Sequence, residues 1–175
     1  MKKTKGTIQV YTGNGKGKTT ASLGLALRAM GHGQKVFMIQ FMKGSKRYGE
    51  IQIAASLKNL TILQCGRDCF VNRADPDPKD IRLAQNGLLK AKEIIQSRKY
   101  DLVILDEINV AMDFKLIAVK DVMKMLREKP KEVELVLTGR GAPRRIRELA
   151  DLVSSVREVK HHYSKGVKAR KGVEF

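Results

Sequence analysis

The run Thr12-Gly13-Asn14-Gly15-Lys16-Gly17-Lys18-Thr19-Thr20 concentrates glycines, ammonium groups and hydroxyls in nine residues. Glycines at alternate positions let the backbone turn its N–H groups inward with no Cβ in the way. A helix starting near Lys18 adds its positive dipole end, and the Lys18 ammonium adds a point charge. Thr19 is placed to offer its hydroxyl to a magnesium ion held by the same phosphates. The position that opens G-x-x-x-x-G-K-[ST] with Gly is Thr12 here. A chance glycine-rich turn is the bland alternative, but an apolar strand precedes this run and a helical pattern follows it. The chain is therefore expected to bind a nucleoside triphosphate through Gly13, Asn14, Gly15, Lys16, Gly17, Lys18, Thr19 and Thr20.

A second cluster supplies the acids that such a loop needs. Leu102-Val103-Ile104-Leu105 is an apolar run that ends in Asp106-Glu107. One acid can hold magnesium, directly or through water, and the other can bind metal or act as a base. Thr19, Asp106 and Glu107 are thus the expected metal-site residues, set against a helix cap or a solvated turn. A third cluster is Thr138-Gly139-Arg140. Arg140 could neutralise phosphate, although Arg144, Arg145 and Arg147 make the whole region basic.

Strand and helix signals that would position these clusters alternate along the chain. Strands are expected at 7–11, 36–41, 60–64, 102–105, 135–137 and 151–156. Leu23, Ala26, Leu27 and Met30 form the apolar stripe of a helix that stops near Gly31-His32-Gly33. A short helix is expected over 51–57. Asp77 and Pro78, with Asp80 in the first turn, start a helix with Ile81, Ala84, Leu88, Ala91 and Ile95 on one face. Another helix carries Val119, Val122, Met123 and Leu126, and Pro143 opens a short one. Near-continuous apolar strands alternating with helices indicate an α/β fold, a mostly parallel sheet with helices on both faces. Ligands sit at the carboxyl ends of strands in such sheets, where all three clusters fall. Residues 1–175 read as a single nucleotide-binding domain, with 159–175 an extended basic tail.

At 175 residues and 42% hydrophobic, the chain can bury one proper core and has no apolar run of membrane-span length. The start, Met1-Lys2-Lys3-Thr4-Lys5, is basic but leads straight into the first strand, so no signal peptide is expected. Two cysteines, Cys65 and Cys69, fit ordinary thiols of a reducing cytoplasm better than a disulfide framework or a zinc site. The net charge of +17 attracts polyanions generally. However, only 5% of residues are aromatic and Trp is absent, so stacking platforms for single-stranded nucleic acid are missing.

With these motifs in place, nearly the whole chain resembles the P-loop-type corrinoid adenosyltransferases, which make adenosylcobalamin. The resemblance rests on Gly13 to Thr20, on Gln40-Phe41-Met42-Lys43-Gly44, on Gly49-Glu50 and on Leu105-Asp106-Glu107-Ile108-Asn109. It continues through Leu137-Thr138-Gly139-Arg140 and the tail Lys165-Gly166-Val167-Lys168-Ala169-Arg170-Lys171-Gly172. It implies a RecA-like P-loop fold, usually a homodimer, and ATP with Mg2+. It further implies transfer of the 5′-deoxyadenosyl group of ATP to cob(I)alamin or a cob(I)yrinic acid a,c-diamide-type precursor, releasing triphosphate.

In such enzymes ATP lies reversed in the loop, because cobalt(I) attacks the ribose C5′ and the phosphates leave. Lys18, Thr19 and Glu107 are then the expected catalytic residues, with Lys18 and the loop amides stabilising charge on the leaving group. Many members carry Gly-Phe-Thr-Trp after the third strand, where the aromatics help displace the lower ligand of cobalt. The matching stretch here is Cys69-Phe70-Val71-Asn72, so Phe70 carries over and the Trp does not. Some members also have an N-terminal extension that folds over the site, whereas six residues precede Thr7 here, so a lid, if present, must come from elsewhere. The basic surface would suit an acidic electron donor such as a flavodoxin. The main alternative is a RecA-like, nucleic-acid-stimulated ATPase, which the loop and the charge favour but the lack of aromatics and of a further domain does not. A small-molecule kinase ranks third.

Overall fold

A computed structural model describes residues 5–175, and the basic start over Met1–Thr4 lies outside the described residues. Among the described residues, six strands form one all-parallel sheet: β1 (Ile8–Thr12), β2 (Val36–Phe41), β3 (Leu60–Cys65), β4 (Leu102–Asp106), β5 (Glu134–Thr138) and β6 (Leu152–Ser155). Their spatial order is β3-β2-β4-β5-β1-β6. β2 and β4, apolar but for Gln40 and Asp106, are buried along their whole length, as strands covered on both faces must be.

Helices cover both faces. On one side α1 (Lys18–Gly31) and α2 (Gly49–Ala54) pack Ala26, Ala29 and Leu57 of the following turn against Val36, Met38, Ile104 and Val136. On the other, α3 (Pro78–Ser97), α4 (Ile108–Asp113), α5 (Val119–Arg127) and α6 (Arg144–Leu149) enclose the larger core. It holds Phe37, Ile39, Val103 and Leu105 from the sheet, met by Ala84, Leu88 and Ile95 of α3 and Ile108 and Met112 of α4.

Local chemistry explains the boundaries. Asp77 accepts the N–H of Lys79 at 2.7 Å, and Pro78 at the first position of α3 has no N–H to satisfy. Arg67 grips the buried Asp80 through Nε and Nη2 at 2.7 and 2.6 Å, tying the β3–α3 connection to the first turn of α3. The short helix expected over 51–57 instead spans Gly49–Ala54, and α4 had no periodic signal at all. Six residues are under two turns, too few to show a helical period, and four of those in α4 are buried. The tail is not simply extended: His162–Lys165 form a 3-10 helix, and residues 170–175 turn back on themselves.

These placements predict unequal costs along α3. Ile95 has no exposed surface and Leu89 is 63% exposed. Ile95→Ala is expected to lower unfolding free energy by about 2–5 kcal/mol, and Leu89→Ala to change it by no more than about 0.5 kcal/mol, measured by urea denaturation.

Candidate nucleotide and corrinoid site

The three clusters meet at the carboxyl edge of the sheet. β1, β4 and β5 are not all neighbours in sequence, but the strand order sets β4 beside β5 and β5 beside β1. The glycine-rich loop therefore faces Asp106-Glu107 and Thr138-Gly139-Arg140 across a short gap.

The loop takes its shape from its glycines. Gly13 and Gly17 have φ of 95° and 115°, in the left-handed region that favours glycine. Gly15 must be bare for another reason: a Cβ there would stand 2.8 Å from the carbonyl of Arg157, where the chain passes beneath the loop. Gly15 N donates to the Val156 carbonyl at 2.8 Å and fixes that approach. Thr12, the departure from the usual motif, ends β1 with its hydroxyl accepting Ala142 N at 3.2 Å, so it holds the β5–α6 turn. Gly17 caps α1 without a side chain, leaving the first-turn amides free of a capping group. The Lys18 ammonium donates to the carbonyls of Gly13 and Gly15 at 2.8 and 2.7 Å, lying along the loop's inner side. Burial pushes its pKa down, and Glu107 and Asp106 partly offset that.

Asp106 is the hub. Its carboxylate has no exposed surface; Oδ1 accepts from Thr19 Oγ1 at 2.8 Å and from Thr138 Oγ1 at 2.6 Å. Oδ2 accepts from Lys43 Nζ at 2.8 Å and Gln40 Nε2 at 3.5 Å. Gln40 is fixed in turn: its Nε2 donates to Glu50 at 2.9 Å and its Oε1 accepts from Gln64 at 3.1 Å. Burial opposes the charge on Lys43, but Asp106, Glu107 and Glu50 outweigh it and raise the ammonium pKa.

The next residue, Glu107, turns the chain with φ of 61°, and its N–H donates to Thr138 Oγ1 at 3.1 Å. That left-handed step aims its side chain into the cavity instead of the sheet. Burial first, then the neighbouring Asp106, raises its carboxyl pKa, against Lys43, Lys18 and Arg140.

One cavity of about 1150 Å³ spans this edge. Asn14 to Thr20 form one wall, with Glu107 and Arg140 opposite. The same cavity is also lined by Phe70, Val71, Val110 and Phe114, and Phe70 is fully exposed. Gly13 and Asp106 do not line the cavity but sit directly behind it, bonded to Lys18 and Thr19. All the residues singled out from sequence are thus gathered here. Lys43, Gln40 and Thr138, the polar shell of Asp106, stood within the motifs quoted from the sequence but had been given no role in the site. Gln40 did leave a signal: it is the one polar residue in the otherwise apolar β2 and has no exposed surface.

A parallel sheet whose first strand feeds a glycine-rich loop, with its Lys-Thr pair facing an acid from β4, defines a P-loop nucleotide-binding protein. A solved KaiC-like protein, PH0186 from Pyrococcus horikoshii, shares this RecA-like fold, with a TM-score of 0.57 over 89% of this chain and 75% of that one at 13% identity. The chain belongs to the ATP:corrinoid adenosyltransferase family BtuR/CobO/CobP, whose model matches residues 4–175. It is 38% identical to a corrinoid adenosyltransferase from Sinorhizobium sp, over 98% of this chain and 81% of that protein. It is 37% identical to one from Escherichia coli K12, over 98% and 86%. Among the described residues no helix is long and apolar enough to cross a membrane.

The position of Glu107 sets a pH dependence. Its pKa is raised on folding, so its contribution favours the fold below the usual glutamate range and is lost as pH rises through the shifted value. Glu107→Gln should therefore raise stability at neutral pH, with the gap to wild type closing as pH falls towards the usual range of about 4.3. Denaturant midpoints measured across pH check this.

Proposed function

We propose that this chain transfers the 5′-deoxyadenosyl group of ATP to a cobalt(I) corrinoid and releases inorganic triphosphate. Beyond membership of the family, the observation that carries this reading is the continuity of the cavity. The phosphate-binding loop and the apolar side chains of Phe70, Val71, Val110 and Phe114 line one and the same cavity, so a nucleotide and a flat, largely apolar ring can meet inside it.

The chemistry asks little proton transfer of the protein. The cobalt(I) electron pair forms the bond to C5′, the C5′–O bond breaks, and its electrons leave with the triphosphate oxygen. The nucleophile has no proton to lose, so no general base is needed. What the site must supply is electrostatic stabilisation of the departing triphosphate. The amides of Asn14 to Lys18, the first turn of α1 and the Lys18 ammonium are aimed at that charge, with Arg140 on the opposite wall. Lys18 is buried, which strengthens its share of that contact.

The donor set suits Mg2+. The Thr19 hydroxyl donates a hydrogen bond to Asp106, leaving its oxygen lone pairs for a cation, and Glu107 adds a carboxylate to the same cavity. No group of three or more acidic, His or Cys residues able to hold a metal occurs among the described residues, which fits an ion completed by phosphate oxygens and water. Asp106, its oxygens engaged by Thr19, Thr138 and Lys43, would act through water. Such an ion would neutralise phosphate charge. The exposed Phe70 is the proposed contact with the corrin ring. The +17 charge would favour an acidic electron donor through long-range attraction.

Three measurements test the reading. Lys18→Ala removes a charge-assisted contact of about 1.5–3 kcal/mol, so turnover should fall about ten- to hundredfold with the fold retained. Thr19→Ala should weaken Mg-ATP binding while Thr19→Ser preserves it. Phosphorus NMR of a reaction with ATP and pre-reduced corrinoid should show triphosphate rising in step with the light-sensitive adenosylated product. Corrinoid-independent ADP as the main product would overturn the transferase reading, because a P-loop ATPase breaks the β–γ linkage.

A further inference from the structure

The tail does something its composition conceals. Leaving β6, the chain passes under the loop at Val156 and Arg157, then returns over it. Residues 170–175 close into a compact turn, with Val173 N and Glu174 N donating to the Arg170 carbonyl at 3.2 and 2.9 Å and Gly172 N to the Phe175 carbonyl at 2.7 Å. At its centre is Glu174. Its carboxylate is 13% exposed and accepts from Arg170 N at 2.8 Å and from Arg170 Nε and Nη2 at 3.2 Å each. His162 Nε2 stands 3.5 Å away and Lys16 Nζ 3.8 Å. The Lys16 ammonium also donates to the Val173 carbonyl at 3.2 Å, so the phosphate-binding loop is fastened to the turn. Gly172 to Phe175 line the cavity beside Asn14 to Gly17.

The two lysines of the loop therefore point in different directions. Lys18 lies along the inner side on the Gly13 and Gly15 carbonyls, and Lys16 reaches outward to the tail. A solvated basic tail has no need of a nearly buried carboxylate surrounded by cations. The paired bonds from Arg170 hold the Glu174 carboxyl well below the usual carboxylate range, so it stays charged and the turn stays closed at working pH.

We propose that Glu174 is a positioning residue that gathers the turn 170–175 and, through Lys16, clips it over the phosphate-binding loop as a roof on the nucleotide end of the cavity. The roof slows the escape of ATP and excludes water from around the triphosphate. The Lys16 backbone N–H serves the loop, and its side chain serves the roof. Phe175 and Val173 give the roof an apolar inner edge. This inference rests on the proposal that the cavity binds ATP. Because the roof is fastened to the phosphate-binding loop, its loss should raise the ATP release rate and the KM for ATP, leaving corrinoid KM and kcat at saturating ATP nearly unchanged.

The test uses the full chain with Glu174→Gln, Lys16→Met, the double variant, and Phe175→Ala, which leaves every charge in place. ATP affinity is measured by titration calorimetry with Mg2+, and release by stopped-flow displacement of a fluorescent ATP analogue. Each single variant is expected to release nucleotide about five- to twentyfold faster, and Glu174→Gln and Phe175→Ala are expected to keep kcat and corrinoid KM within twofold of wild type. The double variant should be no worse than the weaker single, since Lys16 and Glu174 act through one contact. ATP should also slow tryptic cleavage after Lys171 in wild type and fail to do so in Glu174→Gln. Unchanged release in Glu174→Gln and Phe175→Ala, or losses that multiply in the double variant, would overturn the roof and leave the ATP site standing. A wild-type chain that binds no ATP would remove both.

Discussion

Asp106 carries a carboxylate with no exposed surface at the point where β4 leaves the sheet, and four side chains from three other directions converge on it. Thr19 comes from the loop–helix junction, Gln40 and Lys43 from β2 and its exit, and Thr138 from the end of β5. A buried carboxylate without partners would be strongly destabilising, so these bonds are obligatory. By accepting them, Asp106 fixes the loop, the Lys43 segment and the Arg140 turn relative to one another. Thr138 divides its hydroxyl between two tasks, donating to Asp106 and accepting the N–H of Glu107, so the acid pair is set as a unit.

The same edge of the sheet holds much of the backbone's unusual geometry. Gly13, Gly17, Gly139 and Gly141 adopt positive φ there, as do Met42 and Glu107, which are not glycines. A non-glycine residue in the left-handed region is strained, and such strain persists where the surroundings over-determine it. At Glu107 the step turns the chain from strand into α4 and swings the second acid into the cavity. At Met42 it bends the chain after β2 so that Lys43 points back at Asp106. The sheet supplies rigidity, and the left-handed steps at its rim supply direction.

The cavity divides by chemistry along the same rim. Backbone amides, lysines and Glu107 line part of it, and Phe70, Val71, Val110 and Phe114 line another. Arg73 stands beside these apolar side chains, bonded to Asp113 at 3.1 Å with its guanidinium over the Phe114 ring. The connection bearing Phe70 is thus held at its base by Arg67 on Asp80 and near its far end by Arg73, leaving the aromatic side chain itself free.

Much of this was legible in the chain itself. The glycine spacing and the Lys-Thr pair specify a phosphate-binding loop because only small residues allow that backbone shape. The apolar runs specify strands buried on both faces, and β2 occupies the residues its hydrophobicity marks, 36–41. Asp77-Pro78 sets the start of α3 through bonds local to two or three residues. Short-range chemistry decides all of these. Tertiary structure alone decided the rest, where partners lie far apart in sequence: Lys43 with Asp106 at 63 residues, Thr19 with Asp106 at 87, Lys16 with Val173 at 157. The helix α4 was invisible because six residues, four of them buried, are too few to show a period, and the turn of the tail because it closes on single polar contacts, Arg170 with Glu174 and Lys16 with Val173, that leave no hydrophobic pattern. Local rules fix what each segment can be; which charges finally share a carboxylate depends on the strand order, and no window of sequence contains it.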